Sequence, residues 1–254
     1  MISYKKLETI SWSNKPIVIL GAGPSLRNYD FSICSCHMLT VNSAILKTNW
    51  SAPCNDNTLR GWISNDSLCR KWSYFDKVKK DHCYKIVRDS WLKYESELKD
   101  FLFFKPRKTR EDVIEENDDG LLYNSSVPSA IDLAIKLGFK EIYLFGIDHI
   151  AIGDRTHFWQ FLPKELQPKE KILGKDRTIY AAPVRIMQPI PMQKNVWKMN
   201  VDVFNSIINY AKIKNVSIKN VNHNKTCLPF NETILENTIL KKYGIKFVSI
   251  SEHS

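Results

Sequence analysis

Short apolar runs separated by polar, turn-rich stretches recur along the first half of the chain. Residues 16–20 form the first such run, which is rich in β-branched residues and ends at a glycine, as a strand buried on both faces of a parallel sheet does. Similar runs predict strands at 38–41, 61–64, 84–87 and 102–104. Their spacing fits βαβ units, in which a crossover connects successive parallel strands.

The middle of the chain carries the clearest pairing of a helix with a strand. Residues 126–137 place apolar side chains at helical spacing, with Pro128 in the first turn and Gly138 after the end. Residues 141–148 then predict a central strand, and a further helix and a last core strand are predicted at 197–213 and 216–221. We therefore predict an α/β fold with a doubly wound, mainly parallel, Rossmann-like sheet.

Between residues 150 and 196 the hydrophobic pattern loses its period, and five prolines occur there: Pro163, Pro168, Pro183, Pro189 and Pro191. An irregular segment of this length commonly forms a lid or an insertion that shapes a site. The chain of 254 residues is long enough to bury one core without metals or disulfides. We predict a single nucleotide-binding domain over residues 1–254, with a lid or insertion at about 150–196.

Composition and charge narrow the classes of protein further. No apolar run approaches the ~20 residues that cross a bilayer, and the first residues lack the apolar core of a signal peptide, so we expect a cytoplasmic protein without a membrane span. The net charge of +10 favours an acidic partner such as a nucleotide, a polyanion or a nucleic acid. The basic cluster formed by Lys105, Arg107, Lys108 and Arg110 is typical of a solvated surface.

A glycine-rich loop follows the first predicted strand. Gly21, Ala22, Gly23 and Ser25 belong to the sequence Gly-Ala-Gly-Pro-Ser-Leu at 21–26, called the glycine loop below. In a doubly wound fold this position holds phosphate, because backbone N–H groups converge there and a Cβ would obstruct close approach. The loop lacks the third glycine of a dinucleotide fingerprint and the Lys-Ser/Thr of a Walker loop. A nucleotide other than NAD or FAD is the expected ligand, and a tight turn without a ligand is the alternative.

Polar residues follow other predicted strands and precede the central helix. Asn42 and Asn65 stand directly after strands, so they would lie at the same end of the sheet as the glycine loop. Their side chains could bind a ribose or a base there, or they could serve only to form turns. Ser125 and Ser126 stand at the start of the 126–137 helix, where they can cap it, and the same helix end can bind a phosphate.

Three residues are candidates for acid–base chemistry. Asp148 and His149 close the 141–148 strand, and His157 lies in the predicted lid beside Asp154, Arg155 and Trp159. A histidine is a natural general base for a hydroxyl acceptor, although a lone histidine is more often structural.

The glycine loop, Asn42, Asn65 and the stretch 126–148 together resemble the family 42 bacterial sialyltransferases and the related archaeal 6-hydroxymethylpterin diphosphokinases. Residues 137–148 are the most specific part of the resemblance. It implies a single Rossmann-like, GT-A-like domain with a lid, a CMP-sugar donor and no metal or other cofactor. It also implies a set of residues that contact the donor nucleotide: Gly21, Ala22, Gly23, Ser25, Asn42, Asn65, Ser125 and Ser126.

The chain departs from that family at informative positions. The sialyltransferases carry asparagine where Ala22 stands and glycine where Val127 stands, which concerns the sugar more than the nucleotide. Their lid histidine, which takes the acceptor proton, has no counterpart near Trp197 and Lys198. His157, His149 and Asp148 are therefore the candidates for the base.

Three functions follow from these observations. The first is a glycosyltransferase acting on an acceptor hydroxyl, for which hydroxymethylated DNA would explain the charge and a lipo-oligosaccharide would fit the resemblance equally well. The second is a diphosphokinase of a pterin-like alcohol, with Mg²⁺ held by Asp66 and Asp148. The third is a nucleic-acid-binding protein without catalytic activity.

Overall fold

The computed structural model describes residues 2–53, 57–107, 119–122, 125–173, 178–183, 190–221, 228, 231–233 and 237–248. Its strands are β1 (Ile2–Ser3), β2 (Ile17–Leu20), β3 (Tyr29–Asp30), β4 (His37–Val41), β5 (Arg60–Ser64), β6 (Tyr84–Arg88), β7 (Phe101–Phe104), β8 (Pro106–Arg107), β9 (Leu121–Leu122), β10 (Glu141–Phe145), β11 (Lys169–Leu173), β12 (Thr178–Pro183), β13 (Ser217–Val221), β14 (Asn231–Thr233) and β15 (Lys246–Phe247).

Four α-helices and seven 3₁₀ helices accompany these strands. The α-helices are α1 (Tyr74–Lys80), α2 (Ser126–Lys136), α3 (Ile190–Ile213) and α4 (Asn237–Lys242). The 3₁₀ helices span Tyr4–Leu7, Pro24–Asn28, Asn42–Lys47, Ser67–Lys71, Asp89–Glu97, Phe158–Phe161 and Lys164–Leu166. Two of them matter for the site: Pro24–Asn28, called the loop helix, and Phe158–Phe161, called the aromatic helix.

The main sheet has nine strands in the order β1-β7-β6-β5-β4-β2-β10-β13-β14, and every pairing in it is parallel. From β2 the chain builds outward through β4, β5, β6 and β7, and it then returns to place β10 on the other side of β2. The order therefore reverses between β2 and β10. In open α/β sheets such a reversal opens a crevice at the carboxyl ends of the two strands.

Two hydrophobic layers cover the faces of this sheet. Alternate strand residues such as Ile17 and Ile19 pack with α2 and α3, whereas Val18 and Leu20 pack with α1, the aromatic helix and α4. This confirms the doubly wound α/β fold. No described helix combines the length and the apolarity that crossing a bilayer would need.

Every predicted strand and helix is observed, and two of their boundaries differ by more than one residue. The strand predicted at 141–148 ends at Phe145, because Gly146 has a φ of +63° and turns the chain away from the sheet. The helix predicted to begin at 197 begins at Ile190, which puts Pro191 in its first turn, where a proline is tolerated.

The segment 150–196 is more regular than its sequence pattern indicates. Strands β11 and β12 pair there as an antiparallel hairpin, which the sequence reasoning missed. Lys169, the first residue of the hairpin, exchanges hydrogen bonds with Ser73: its N–H donates to Ser73 Oγ at 2.9 Å, and its carbonyl accepts the Ser73 N–H at 2.8 Å. The hairpin is thereby fastened beside the start of α1.

An ion pair between Arg107 and Asp132 lies in the core with no exposed side-chain surface. Arg107 Nε donates to Asp132 Oδ2 at 3.0 Å, its Nη2 donates to Oδ1, and the Leu122 N–H donates to Oδ2 at 2.9 Å. Burial alone would lower the pKa of Arg107, but the adjacent carboxylate outweighs it and leaves the pKa raised. The prediction of a solvated surface is wrong for Arg107, while Lys108 and Arg110 lie outside the described residues.

Candidate functional site

The glycine loop meets the end of β10 at the reversal point of the sheet. The Gly21 N–H donates to the Phe145 carbonyl at 2.7 Å, and the Gly23 N–H donates to the Gly146 carbonyl at 2.7 Å. A Cβ on Gly21 would lie 2.5 Å from the Gly146 oxygen, and one on Gly23 would lie 2.6 Å from Asp148 Oδ2. Glycine is needed at both positions because the β10 end packs directly against the loop.

This packing changes the expected role of the loop. The N–H groups of Gly21 and Gly23, which we expected to face a phosphate, are bonded inside the protein, and the Ser25 N–H donates to Asp148. Among the described residues, the Ala22 N–H has no hydrogen-bond partner. Nucleotide binding by Gly21, Ala22, Gly23 and Ser25 stays a prediction, with Ala22 supplying the free N–H.

Asp148 fastens the loop helix to the end of β10. Its Oδ2 accepts the Ser25 N–H at 2.6 Å, its Oδ1 accepts the Ser25 hydroxyl at 2.5 Å, and both residues are buried. Burial raises the pKa of Asp148, and the two hydrogen bonds from Ser25 oppose that change. This geometry suits a residue that positions the loop, and a catalytic role for Asp148 stays a prediction.

The start of α2 lies next to Asn65 at the same edge of the sheet. The Asn65 N–H donates to Ser126 Oγ at 2.9 Å, and its side-chain amide donates to Ser129 Oγ at 3.0 Å. Ser125 occupies the cap position of α2, yet its side chain makes no capping hydrogen bond, contrary to our expectation. Among the described residues, the N–H groups of Ser126 and Val127 also have no partner. This helix end is therefore free to bind an anion.

Asn42 turns the chain after β4. Its φ is +52°, a conformation that asparagine adopts more readily than most residues, and its carbonyl accepts the Trp62 Nε1–H at 2.9 Å. Its side-chain oxygen lies 3.6 Å from Cys69 Sγ. The turn-forming role is thus present, and nucleotide binding by Asn42 stays a prediction.

One pocket of about 120 Å³ brings together several of the predicted site residues. It is lined by Gly21, Ala22, Gly23, Val127, Gly146, Ile147, Asp148, His149, Ile150, Thr156, His157 and Trp197. Asn42, Asn65, Ser125 and Ser126 do not line it, although Val127 brings the start of α2 to its wall. The sequence reasoning did not predict that Thr156 and Trp197 line the pocket. The only signal for Trp197 was that the resembling family carries its base close to this position.

Two larger clefts lie at the other end of the sheet, where the strands begin. They measure about 670 and 550 Å³ and share Ile10 and Trp12, and one of them is bordered by Arg60 and Tyr84, the first residues of β5 and β6. Ligands of open α/β sheets bind at the carboxyl ends of the strands, and the predicted chemical groups lie there as well. We therefore place the candidate active site at the small pocket.

His149 packs into an aromatic cluster on one wall of this pocket. Its ring stacks on Trp197 with centroids 5.9 Å apart and lies 5.4 Å from the Phe204 centroid. Its φ is +50°, and its buried Nδ1 has no hydrogen-bond partner in the part of the chain that the structure describes. Burial lowers the pKa of His149 to about 4, so the ring is neutral at pH 7.

His157 is held in place by polar contacts. Its Nδ1 lies 2.9 Å from Thr156 Oγ1, and its backbone N–H donates to Gln160 Oε1 at 2.7 Å. Burial lowers the pKa of His157 to about 4 against an opposing hydrogen bond to Gln160. If the ring proton is assigned to Nδ1 as the donor to Thr156, the Nε2 lone pair is left for a substrate.

The two neutral histidines predict a loss of stability in acid. Because the pKa of each falls from 6.5 to about 4 on folding, the unfolded chain binds protons more strongly between these values. The free energy of unfolding should be nearly unaffected above about pH 7.5 and should fall by roughly 6 kcal/mol for the pair as the pH drops to 4. Urea unfolding at pH 7 and pH 4.5 measures this loss.

His149→Phe should remove about half of the difference between the two pH values, because phenylalanine keeps the stacking and does not titrate. His82→Gln, at an exposed histidine, is the matched control and should leave the difference unchanged. Carboxylates titrate in all three proteins, so the comparison isolates the histidine. Equal pH dependence in the parent and the His149→Phe variant would contradict the prediction.

A metal site was expected only for the diphosphokinase alternative. Within the described ranges, no three His, Cys, Asp or Glu residues come together as metal ligands. Asp66 is exposed and accepts the Leu68 N–H at 2.9 Å, while both oxygens of Asp148 are bonded to Ser25. These two carboxylates therefore already have partners inside the protein.

The fold and the position of the pocket define a doubly wound α/β protein with a site at the carboxyl ends of its central strands. Among particular proteins, the solved structures similar to the chain include three of sialyltransferases. The monofunctional α-2,3-sialyltransferase Cst-I from Campylobacter jejuni is 12% identical, with a TM-score of 0.44 over 100% of this chain and 92% of that one. The sialyltransferase CstII from Campylobacter jejuni, in complex with a substrate analogue, cytidine-5′-monophosphate, is 13% identical, with a TM-score of 0.40 over 92% of this chain and 98% of that one.

The third structure is the sialyltransferase CST-II in complex with a trisaccharide acceptor and CMP, at 14% identity and a TM-score of 0.40 over 91% of this chain and 99% of that one. No protein-family model and no curated protein matches the chain.

Proposed function

We propose that the protein is a glycosyltransferase that moves a sugar from a CMP-sugar donor to an acceptor hydroxyl. The observation that carries the proposal is the uncapped start of α2 beside a pocket that also holds a neutral histidine, at the reversal point of the sheet. An anion site and a base in one pocket are the two groups that such a transfer requires.

The donor phosphate would lie at the start of α2. The N–H groups of Ser126 and Val127 are unpaired among the described residues, and the helix dipole favours negative charge at this end. The N–H of Ala22, which also lines the pocket, is a third donor. These groups would stabilise the phosphate as it departs, without a metal.

His157 is the base that we propose for the acceptor. The anomeric carbon–oxygen bond to the phosphate breaks with both electrons going to the leaving CMP, and the acceptor oxygen forms the new bond to the anomeric carbon. As that bond forms, the acceptor hydroxyl becomes acidic and its proton passes to His157 Nε2. A neutral ring at pH 7 is required, and the lowered pKa of His157 provides it.

A metal-free response to CMP is the direct test. At ~100 times its dissociation constant, CMP should stabilise the fold by about 2.7 kcal/mol, which raises the melting temperature in the presence of EDTA. The same thermal-shift screen includes CDP, UDP, GDP, ADP and ATP, each with and without Mg²⁺. Stabilisation by ATP or ADP only with Mg²⁺ would instead favour the diphosphokinase, and no response to any nucleotide would sink the proposal.

A matched pair of variants ties the response to the pocket. In Gly23→Ala the new Cβ would lie 2.6 Å from the Asp148 carboxylate and 2.7 Å from the Gly146 oxygen, so the loop must shift and the CMP response should be lost. In the control Gly61→Ala the nearest atom is the end of the Leu39 side chain, at 2.5 Å, which can move. This control should keep the response.

The net charge of +10 supports a polyanionic acceptor, for which we keep hydroxymethylated DNA as the proposal and a lipo-oligosaccharide as its competitor. Transfer assays with each acceptor and the same CMP-sugar separate the two. Transfer to the oligosaccharide alone would remove the DNA proposal and leave the glycosyltransferase intact.

A further inference from the structure

Two arginines lie against one aromatic ring beside the candidate site. The guanidinium carbon of Arg27, on the loop helix, is 4.0 Å from the centroid of the Phe161 ring, and that of Arg155 is 4.7 Å from the same centroid. The two guanidinium carbons are therefore less than about 9 Å apart. This distance is short enough for both to bind one anionic group.

Neither arginine is neutralised by a carboxylate. Within the described ranges, no Asp or Glu oxygen lies within 4.0 Å of either guanidinium, and Arg27 Nε is buried without a hydrogen-bond partner. A third cation is close, because Lys47 Nζ lies 5.9 Å from the ring of Phe158 on the same aromatic helix. Asp30 offsets part of the Lys47 charge, so the unbalanced positive charge is that of the two arginines, whose repulsion a bound anion would offset.

The position of this cluster relative to the pocket follows from the two short helices. The Phe158 N–H donates to the Ala22 carbonyl at 3.0 Å, which fastens the aromatic helix to the glycine loop at the pocket wall. Phe161 follows three residues later, and Arg27 follows Gly23 by four. Arg155 directly precedes Thr156, which lines the pocket, so the cluster adjoins the pocket.

We propose that Arg27 and Arg155 form a subsite for a carboxylate or phosphate group carried by the acceptor, beside the pocket. The inference rests on the proposed transferase function, and it narrows the acceptor to an acidic molecule. A guanidinium lying on an aromatic ring keeps its N–H edge free for a paired hydrogen bond to two anionic oxygens. Because the donor phosphate is proposed to lie at the start of α2, a second anion at the arginines is assigned to the acceptor.

Direct titration of the full-length protein tests the subsite independently of catalysis. Inorganic phosphate and glucuronate are titrated separately at low ionic strength, by calorimetry, into the parent and into Arg27→Gln, Arg155→Gln and the double variant. We expect the parent to bind at least one of the two anions. Each single variant should bind the preferred anion at least tenfold more weakly, and the double variant should keep at most the phosphate binding of the start of α2, which CMP abolishes. The preferred anion tells a phosphorylated acceptor from a carboxylated one.

Arg60→Gln is the matched control, because Arg60 lies at the opposite edge of the sheet, where its Nη1 donates to the Ala52 carbonyl. It should bind the anion as the parent does. CMP is titrated into the same samples and should bind to all of them equally. If Arg27→Gln does not fold, Arg155→Gln decides the question, because Arg155 is exposed.

A parent that binds neither anion, or Arg155→Gln binding at parental strength, would overturn the subsite. Failure of CMP to bind, with anion binding intact, would count against the transferase function instead.

Discussion

Replacing Asp132 by alanine is expected to lower the free energy of unfolding by about 3–5 kcal/mol, the largest effect on stability that we predict for a single substitution. The variant removes the buried carboxylate that accepts hydrogen bonds from Arg107 Nε and Nη2, and it also removes the acceptor of the Leu122 N–H. The guanidinium stays in the core, where the loss of this compensating charge is costly. Urea unfolding at pH 7 measures the loss. The slope of the free energy of unfolding against urea concentration should be the same in the parent and the variant.

Two further proteins make this prediction specific to the buried ion pair. In Asp119→Ala the lost partner is Lys5, at 2.7 Å, but both side chains are exposed, so we expect a far smaller loss than in Asp132→Ala. In the double variant Arg107→Met, Asp132→Leu both charges are replaced by apolar side chains, and most of the stability should return. If the double variant is as unstable as Asp132→Ala, the ion pair stabilises the fold by more than the mutual neutralisation of its two buried charges.

Replacing His157 by alanine is expected to reduce the kcat of sugar transfer about 10²–10⁴-fold, the largest effect on activity that follows from the proposed function. The acceptor would then lose its proton to water rather than to a fixed imidazole. CMP binding should stay at the parental level, because the proposed phosphate donors belong to α2 and Ala22. Release of CMP from a CMP-sugar, with acceptor present, measures kcat, and the thermal shift measures binding.

Thr156→Val separates the position of the base from its presence. Valine removes the oxygen 2.9 Å from His157 Nδ1 and keeps the imidazole, so we expect a smaller loss of kcat, of roughly tenfold. His82→Gln is again the control and should turn over like the parent. Full activity in His157→Ala would exclude this residue as the base and make His149 the next to test.

The core strands could be predicted because their signal is local. β2 is an unbroken apolar run, β4, β5 and β10 are built around shorter ones, and α2 carries both a proline in its first turn and a glycine after its end. The β11–β12 hairpin could not be recognised in the same way. Its strands include Lys169, Glu170 and Lys171 and lack an apolar alternation, and contact with Ser73 at the start of α1 supports them instead.

The site was predicted in its location but not in its contacts. Strand ends and helix starts located the glycine loop, Asp148 and the start of α2 at one edge of the sheet. The hydrogen bonds that occupy the loop join Ser25 to Asp148, 123 positions later, and no local pattern announces them. Arg107 was wrongly assigned to the solvated surface for the same reason. Its partner Asp132 lies 25 positions later, in a helix whose other core-facing residues are mostly apolar.

The place of β2 at the middle of the sheet also has a consequence for biosynthesis. β4 follows β2 closely in the chain and can pair with it soon after both have left the ribosome, but β10 is made much later. Until then one edge of β2 stays open, and the loop N–H groups that will bind the carbonyls of Phe145 and Gly146 face water. A nascent chain therefore exposes a central strand edge, the kind that invites mispairing, until the emergence of β10 closes the sheet and completes the pocket.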